Sequence, residues 1–357
     1  MKDCREPVVI TGGAGFIGSN LADALMARGR TVLVFDNMSR PGVTANVDWL
    51  RKRHGDRLTV QAADVRDTTA IAEAVEHASG VVHLAAQVAV TESLTSPIED
   101  FTINAAGTLH LLEATRRRKP RIPLVFASTN KVYGTLDGLA LEERPDSYMP
   151  ADPQIRCTGI GESQPLRFST PYGCSKGAAD QYVLDYAACF GVPAMVLRMS
   201  CIYGPRQFGT EEQGWVAHFL FRALHDEEIT IFGNGRQVRD VLYVHDAVRA
   251  YLEVLDNADR LAGRVFNLGG GPGNAISLLT MLQQIEALLG RSVRYRFEAE
   301  RPADQRYFVA DTTLLRDAIG WTPRIGWREG VAGLLRWAAD REAPSRSTAT
   351  VERSFSA

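Results

Sequence analysis

Two groups of residues in this chain of 357 have the types and spacing that proton chemistry needs. Tyr172 and Lys176 stand four apart in Tyr172-Gly-Cys-Ser-Lys176, so a helix would carry both on one face. An ammonium beside a phenol favours the phenolate, and the pair is expected to lower the tyrosine pKa from about 10 towards working pH. Ser128-Thr129-Asn130-Lys131 follows directly on the apolar run Leu124–Ala127. From there the Thr129 hydroxyl can hold a substrate oxygen while Tyr172 removes or returns its proton. An acid–base group so positioned typically contributes ~10²–10⁴ in rate. A Tyr-x-x-x-Lys pair alone recurs by chance on helix surfaces, so its meaning rests on its company.

That company begins at Thr11-Gly12-Gly13-Ala14-Gly15-Phe16-Ile17-Gly18, set between an apolar strand and a helical pattern. Glycines at 12, 15 and 18 allow a tight turn and let a pyrophosphate approach backbone N–H groups at the positive end of a helix. The second strand ends in Asp36, 18 residues beyond Gly18, where a carboxylate accepts hydrogen bonds from an adenosine ribose; Asn37 is next to it. Asp36 would repel the extra phosphate of NADP, so the expected cofactor is NAD, although Arg40 lies near. Asp64-Val65 ends a third strand and could face the adenine. Leu84-Ala85-Ala86-Gln87 ends a fourth, where small residues would let the cofactor pass.

With these residues in view, the chain resembles the extended short-chain dehydrogenase/reductase family, and within it the nucleotide-sugar epimerases and dehydratases. The likeness runs from about Val8 to Trp337. A closer likeness, to enzymes that epimerise a CDP-linked sugar at carbon 2, rests on Ser128-Thr-Asn-Lys-Val-Tyr-Gly134, Pro171-Tyr-Gly-Cys-Ser-Lys-Gly-Ala-Ala-Asp180, Arg206-Gln-Phe-Gly-Thr210, Gln213-Gly-Trp-Val216, Arg236-Gln-Val-Arg-Asp240 and Asp304-Gln-Arg-Tyr-Phe-Val-Ala-Asp311. The resemblance implies catalytic positions at Thr129, Tyr172 and Lys176, and cofactor-facing positions at Asn104 and Ser200. It implies substrate contacts at Thr129, Asn130, Lys131, Cys201, Arg206, Gln207, Gln213, Trp215 and Val216. Cys201 stands where many relatives carry an asparagine. Arg239, Arg301 and Arg306 are candidates for the substrate diphosphate, because guanidinium forks match phosphate oxygens. The implied reaction oxidises the sugar transiently to a 2-ketone and returns hydride to the opposite face, with no net redox. Relatives that eliminate water place Asp-Glu directly after the catalytic threonine; here that place holds Asn130-Lys131. A 4-epimerase, a 2-epimerase acting on another CDP-, GDP- or UDP-sugar, and a non-catalytic NAD-sensing protein remain open. A homodimer or homotetramer is implied, pairing through the helix that begins at Tyr172.

The elements that must position these groups follow from periodicity. Val8–Ile10, Thr31–Phe35, Leu58–Ala62, Val81–Leu84, Leu124–Ala127 and Ala194–Leu197 read as buried strands; Gly18–Arg28, Thr69–His77, Phe101–Arg116 and Lys176–Phe190 read as helices between them. The fold class is α/β, a Rossmann-type doubly wound parallel sheet with a smaller C-terminal substrate lobe, whose ligands lie at the carboxyl ends of the strands. Residues 1–200 with about 246–275 are expected to form the dinucleotide-binding domain, and 201–245 with 276–340 the nucleotide-sugar lobe. Leu136–Thr170, polar and rich in Pro, Gly and acidic residues, reads as a functional surface loop, and 342–357 as a flexible tail.

Composition sets the bounds. At 45% hydrophobic and 23% charged the chain is an ordinary globular one, and a net charge of −2 without a basic stripe argues against nucleic acid as a partner. The run Arg116-Arg117-Arg118-Lys119 reads as a solvated helix end. Five cysteines, none at zinc or redox spacing, suggest reduced thiols, a cytoplasmic setting and no metal site. The polar opening residues do not resemble a signal peptide, and no apolar stretch approaches the ~18 residues of a membrane span.

Overall fold

Strand and helix alternate through the first 200 residues because each buried strand must be followed by a helix that covers it and returns the chain in parallel. The computed structural model describes residues 6–342; Cys4 and, beyond residue 342, the expected tail lie outside them. Seven parallel strands form one sheet in the order Val265–Leu268, Ala194–Met199, Leu124–Thr129, Gly80–His83, Val8–Thr11, Val32–Asp36, Leu58–Ala62. This is the doubly wound sheet expected, with Val265–Leu268 added at one edge.

Both faces are covered, and alternation along each strand decides which side chain goes where. Val8 and Ile10 pack with Val125, Ala127, Met195 and Leu197 towards the helices Phe16–Ala27, Val43–His54 and Val244–Asp256. Val9 and Phe35 pack with Leu124, Phe126, Ala194 and Val196 towards Thr68–Glu76, Gly107–Arg117 and Thr170–Phe190. Each fully buried aliphatic or aromatic side chain contributes roughly 1.5–3 kcal/mol. A separate core, with Val216, Phe219, Ile231, Val241, Ile276, Met281 and Val331, joins the helices Trp215–Leu224, Leu278–Leu289 and Trp327–Glu342 to two small sheets. Leu315, Ala318 and Trp321 pack back into the first core.

Two local expectations change. Leu136–Thr170 is not a plain functional loop. It holds a hairpin, Leu141–Glu143 with Tyr148–Pro150, and a helix, Pro153–Thr158, capped by the Asp152 carboxylate on the Gln154 N–H. Leu136, Leu139, Ile155 and Ile160 bury against Val132, Tyr133, Phe308 and Ala310. The segment contributes no side chain to the main cleft; its few apolar residues, spread among polar ones, fasten it to the turn after Thr129 and to the strand Tyr307–Phe308. The single helix expected over Phe101–Arg116 is instead Pro97–Phe101, a π-helical turn Thr102–Ala106, and Gly107–Arg117. Such turns often mark functional positions, and this one buries Asn104.

The fold also buries a histidine. His83 ends the Gly80–His83 strand with both ring nitrogens engaged, Nδ1 with Thr11 Oγ1 at 2.6 Å and Nε2 with Thr108 Oγ1 at 2.9 Å. Thr108 donates its own proton to the Asn104 carbonyl at 2.6 Å, so Nε2 carries the ring hydrogen and Nδ1 accepts from Thr11. Burial, with the Lys176 charge beyond it, pushes the imidazole down to about 3. The unfolded chain therefore takes up a proton that the folded one refuses as pH falls from about 6.5 to about 3, and stability should drop through that window by up to about 1.4 kcal/mol per pH unit. Urea midpoints measured from pH 7 to 4 should fall less steeply for His83→Gln; equal slopes for the two proteins would remove His83 from the acid response.

Candidate active site

The glycine turn is built for close backbone approach. Gly12 sits at φ +69°, and a Cβ there would lie 2.7 Å from the Ala85 nitrogen; at Gly18 one would lie 2.3 Å from the Gly12 carbonyl oxygen. Gly15 is the N-cap of Phe16–Ala27 and offers no side chain to that helix end, so the helix N-terminus is left to bind something else. Asp36 ends its strand beside this turn, accepting N–H bonds from Ala14 at 3.1 Å and Met38 at 2.9 Å. Its burial raises the carboxyl pKa, and those two N–H groups and Arg40 oppose the rise. A cradle that any Cβ would fill, a helix end without a cap and a carboxylate beside both fit the pyrophosphate and ribose of a dinucleotide.

Farther along the strand ends the placements vary. Asp64 is held by Arg66 through two bonds of 2.8 Å and by Asn37 at 3.0 Å, which keep its carboxyl well below the usual range. Val65 is buried in the helix–sheet core, where a Cβ at Gly107 would meet its side chain at 2.8 Å. Leu84 and Ala85 crowd the glycine turn, with Ala86 following them. The Gln87 N–H donates to Asn104 Oδ1 at 2.9 Å, and Asn104 Nδ2 returns a bond to the Gln87 carbonyl at 3.0 Å. Ser200 donates to the Asp240 carboxylate.

From the start of the helix Phe16–Ala27 a cleft of about 370 Å³ runs past the strand end at Thr129 to the helix Trp215–Leu224. Phe16, Ile17, Thr129, Asn130, Lys131, Tyr172, Ser200, Cys201, Gln207, Gln213, Trp215, Val216, Arg239 and Arg301 all line it. Residues far apart in the chain meet here because the strands Leu124–Thr129 and Ala194–Met199 are neighbours in register, Thr129 opposite Met199. The helix Thr170–Phe190 then lays Tyr172 against the same strand ends. Cys201 accepts a contact of 3.5 Å from the Trp215 indole N–H.

Two of the expected arginines are not in the cleft. Arg206 stacks on Trp49, its guanidinium carbon 3.7 Å from the ring centroid. Arg306 lies over Tyr148 at 5.8 Å and lines a separate crevice with Asn234, Gln237 and Glu300. Both stand close in sequence to cleft residues, Arg206 next to Gln207 and Arg306 two residues after Asp304; Arg206 sits in a turn at φ +74°, and Arg306 directly precedes the strand Tyr307–Phe308. Asp304 was missed. Its carboxylate lies between Lys131 Nζ at 3.3 Å and Arg239 Nη2 at 2.8 Å, and the two cations hold its pKa down against burial. Buried Gln305 accepts a bond from Asn130 Nδ2 at 2.9 Å and donates to the Gly134 carbonyl at 2.6 Å. No local pattern joins residues 130–131 to 304–305. Glu211, Glu212 and His218 also line the cleft unforeseen; Glu212 accepts from Thr91 across it, and Arg40 donates to Gln213.

The acid–base pair differs from expectation in one respect. Burial pushes the Tyr172 phenol up to about 12; the Thr129 hydroxyl opposes the rise, Asp100 adds to it and Arg40 opposes it. Lys176 does not acidify it in this geometry. Its ammonium donates to the Ala127 carbonyl at 2.7 Å and lies 4.1 Å from the Phe126 ring centroid. Burial brings Lys176 down to about 7, with Asp180 and Asp100 resisting. A spacing of four puts two residues on one helix face, but a flexible four-carbon stem still chooses among the partners on that face.

Residues 8–269 match the NAD dependent epimerase/dehydratase family. CDP-paratose 2-epimerase of Salmonella typhi is 40% identical over 337 residues, covering 92% of this chain and 98% of the relative. Among solved structures, a UDP-glucose 4-epimerase of Thermus thermophilus in complex with NAD is 30% identical with a TM-score of 0.77, covering 95% of this chain and 100% of that one. A UDP-glucuronic acid 4-epimerase of Bacillus cereus, in complex with UDP-glucuronic acid and NAD, has a TM-score of 0.80 at 25% identity and covers 94% of this chain and 99% of that one. With the glycine cradle, Asp36 and the Thr129–Tyr172 pair in their places, this chain belongs to the NAD-dependent epimerase/dehydratase family.

Proposed function

We propose that the chain epimerises a nucleotide-linked sugar at carbon 2, in the manner of CDP-paratose to CDP-tyvelose. The observation that carries this reading is the meeting of Thr129 and Tyr172 in one cleft whose neighbouring side chains, Asn130 and Lys131, are tied to Gln305 and Asp304. Elimination of water would call for a carboxylate pair next to Thr129, and the carboxylates of this cleft are engaged elsewhere: Asp304 by two cations, Glu211 and Glu212 by Arg301 at 3.8 and 3.5 Å. The 40% identity with the Salmonella typhi 2-epimerase supports carbon 2 and a CDP-sugar.

Carbon 2 is not beside a carbonyl, so its hydrogen is not acidic and deprotonation there would fail. The proton must leave from oxygen. Tyr172 accepts the carbon-2 hydroxyl proton while Thr129 holds that oxygen, and Lys176, on the same helix face, is held by the Ala127 carbonyl. The chemistry that bound NAD would supply is a reversible hydride acceptor for carbon 2. The sugar ketone turns within the cleft, and Tyr172 returns the proton to the oxygen on the other face. The glycine cradle, Asp36 and Ser200 would hold the cofactor. Arg239 and Arg301 would meet the diphosphate, with Trp215 and Val216 at the nucleotide end. The seven-stranded lobe, 1–200 with about 246–275, carries the cofactor, and 201–245 with 276–340 the nucleotide-sugar, a division by role that leaves Leu315–Trp321 packed on the first. Exposed Ile98, Phe101 and Tyr182 support pairing of two copies along the helix that holds Tyr172. No helix among the described residues is long and apolar enough to cross a membrane.

Incubation with CDP-, GDP- and UDP-sugars, followed by NMR of the products, tests the proposal. Inversion at carbon 2 with no net NADH is the expected result, fastest with a CDP-sugar. Inversion at carbon 4 with none at carbon 2 would make the chain a 4-epimerase.

A further inference from the structure

Asp100 is fully buried, and among the described residues its hydrogen-bond partners are neutral. Its Oδ1 accepts from Ser175 and its Oδ2 from Asn104 Nδ2 at 3.0 Å, and Asn104 Nδ2 also lies 3.1 Å from Ser175 Oγ. Ser175 sits between Tyr172 and Lys176 on their helix, and Asn104 occupies the π-helical turn and reaches on to Gln87. A buried carboxylate with neutral partners alone costs several kcal/mol unless a charge nearby compensates it. The compensating charge is Lys176, which has the converse problem: an ammonium in the core with one carbonyl and one ring for company. Two carboxylates act on Lys176, Asp180 and Asp100. Asp180 is already taken by Arg198, through bonds of 2.8 and 2.9 Å.

We infer that Asp100 is a positioning residue for the acid–base pair, its carboxylate being the counter-charge left to the Lys176 ammonium and held in register with Tyr172 through Ser175 and Asn104. The carboxylate favours the protonated form of Lys176 and of Tyr172 alike, so it sets the pH range in which the pair works. Other charges face the same cluster: Glu92 towards Asp100, Arg40 towards Tyr172, and His83, neutral above about 3, beside Lys176. None of these contacts both Ser175 and Asn104.

The inference rests on the acid–base roles proposed above, and its test separates the two. The pH dependence of kcat would be measured for the wild type, Asp100→Asn and Ser175→Ala, each loaded with NAD. Removing the negative charge makes Lys176 lose its proton more easily and Tyr172 lose its proton more easily, so both limbs should move to lower pH, by about one unit. Ser175→Ala keeps the charge and leaves the Asn104 bond to hold the carboxylate in place, so its limbs should stay within a few tenths of a unit of the wild type. Coincident profiles for wild type and Asp100→Asn would overturn the inference, as would an equal shift in Ser175→Ala. If Asp100→Asn does not fold, Asp100→Ser, which leaves room for water, carries the same expectation. Full activity in Tyr172→Phe would instead sink the acid–base reading itself, whatever Asp100 does.

Discussion

Tyr172→Phe should lower turnover by about 10²–10⁴ while the protein keeps its NAD. The substitution removes one oxygen from a ring that is only 8% exposed and leaves the packing of that ring in place. The Thr129 hydroxyl would still hold the sugar oxygen, and the glycine cradle and Asp36 are untouched, so binding should survive. What disappears is the group that takes the hydroxyl proton, without which a hydride cannot leave carbon 2. The carboxylates that line the cleft are tied elsewhere, Asp304 to Lys131 and Arg239, and Glu211 and Glu212 to Arg301, so none is placed to replace the phenol. Product formation followed by NMR, with the dinucleotide content read after denaturation, gives both quantities. Unchanged turnover with NAD retained would mean that another group moves the proton.

Asp180→Ala is expected to cost about 3–5 kcal/mol of stability, the usual consequence of leaving one partner of a buried ion pair alone. Asp180 is fully buried and Arg198 nearly so. Arg198 grips both carboxylate oxygens, Ser128 donates to Oδ2 at 2.7 Å, and Arg198 reaches Tyr133 Oη at 3.2 Å, which in turn donates to Asn267 Oδ1 at 2.7 Å. Truncation would strand a guanidinium and a hydroxyl beneath the strand end that carries Thr129. The double variant Asp180→Leu with Arg198→Met removes both charges and should recover much of the loss, because an apolar pair of similar volume needs no solvation. Urea midpoints for the two single variants and the double check this. A loss below about 1 kcal/mol in Asp180→Ala would show that the site relaxes or admits water.

Much of this was legible in the residues because the signals were local. A glycine turn needs neighbours a few residues away, so Gly12, Gly15, Gly18 and Asp36 announced the cradle from their order alone. The six expected strands all lie in the sheet, five of them because a strand buried on both faces must be apolar throughout; Leu58–Ala62, at the sheet edge, is not buried as expected, and its Thr59 and Gln61 reflect that. The positions of Thr129, Tyr172 and Lys176 were readable for the same reason, one at a strand end and two on one helix.

Where the reading failed, the deciding contact was long-range or turned on a side chain's direction. Arg206 and Arg306 were placed by resemblance and by the fit of guanidinium to phosphate, and the folded chain seats them on Trp49 and Tyr148 outside the cleft. Leu136–Thr170 looked like a free loop because its apolar residues have no period; they find their partners at Phe308 and Ala310.

By itself, then, the amino-acid order determined the glycine turn, the parallel sheet and the placing of the residues proposed to handle protons, all of which depend on spacings shorter than a helix. Only the folded chain decided the charge state of those groups. Lys176 settles on Ala127, Asp304 links Lys131 to Arg239, and Asp100 lies beside the acid–base pair. Desolvation and Coulomb energy depend on distance in space and on the water excluded, and neither quantity is written along the chain.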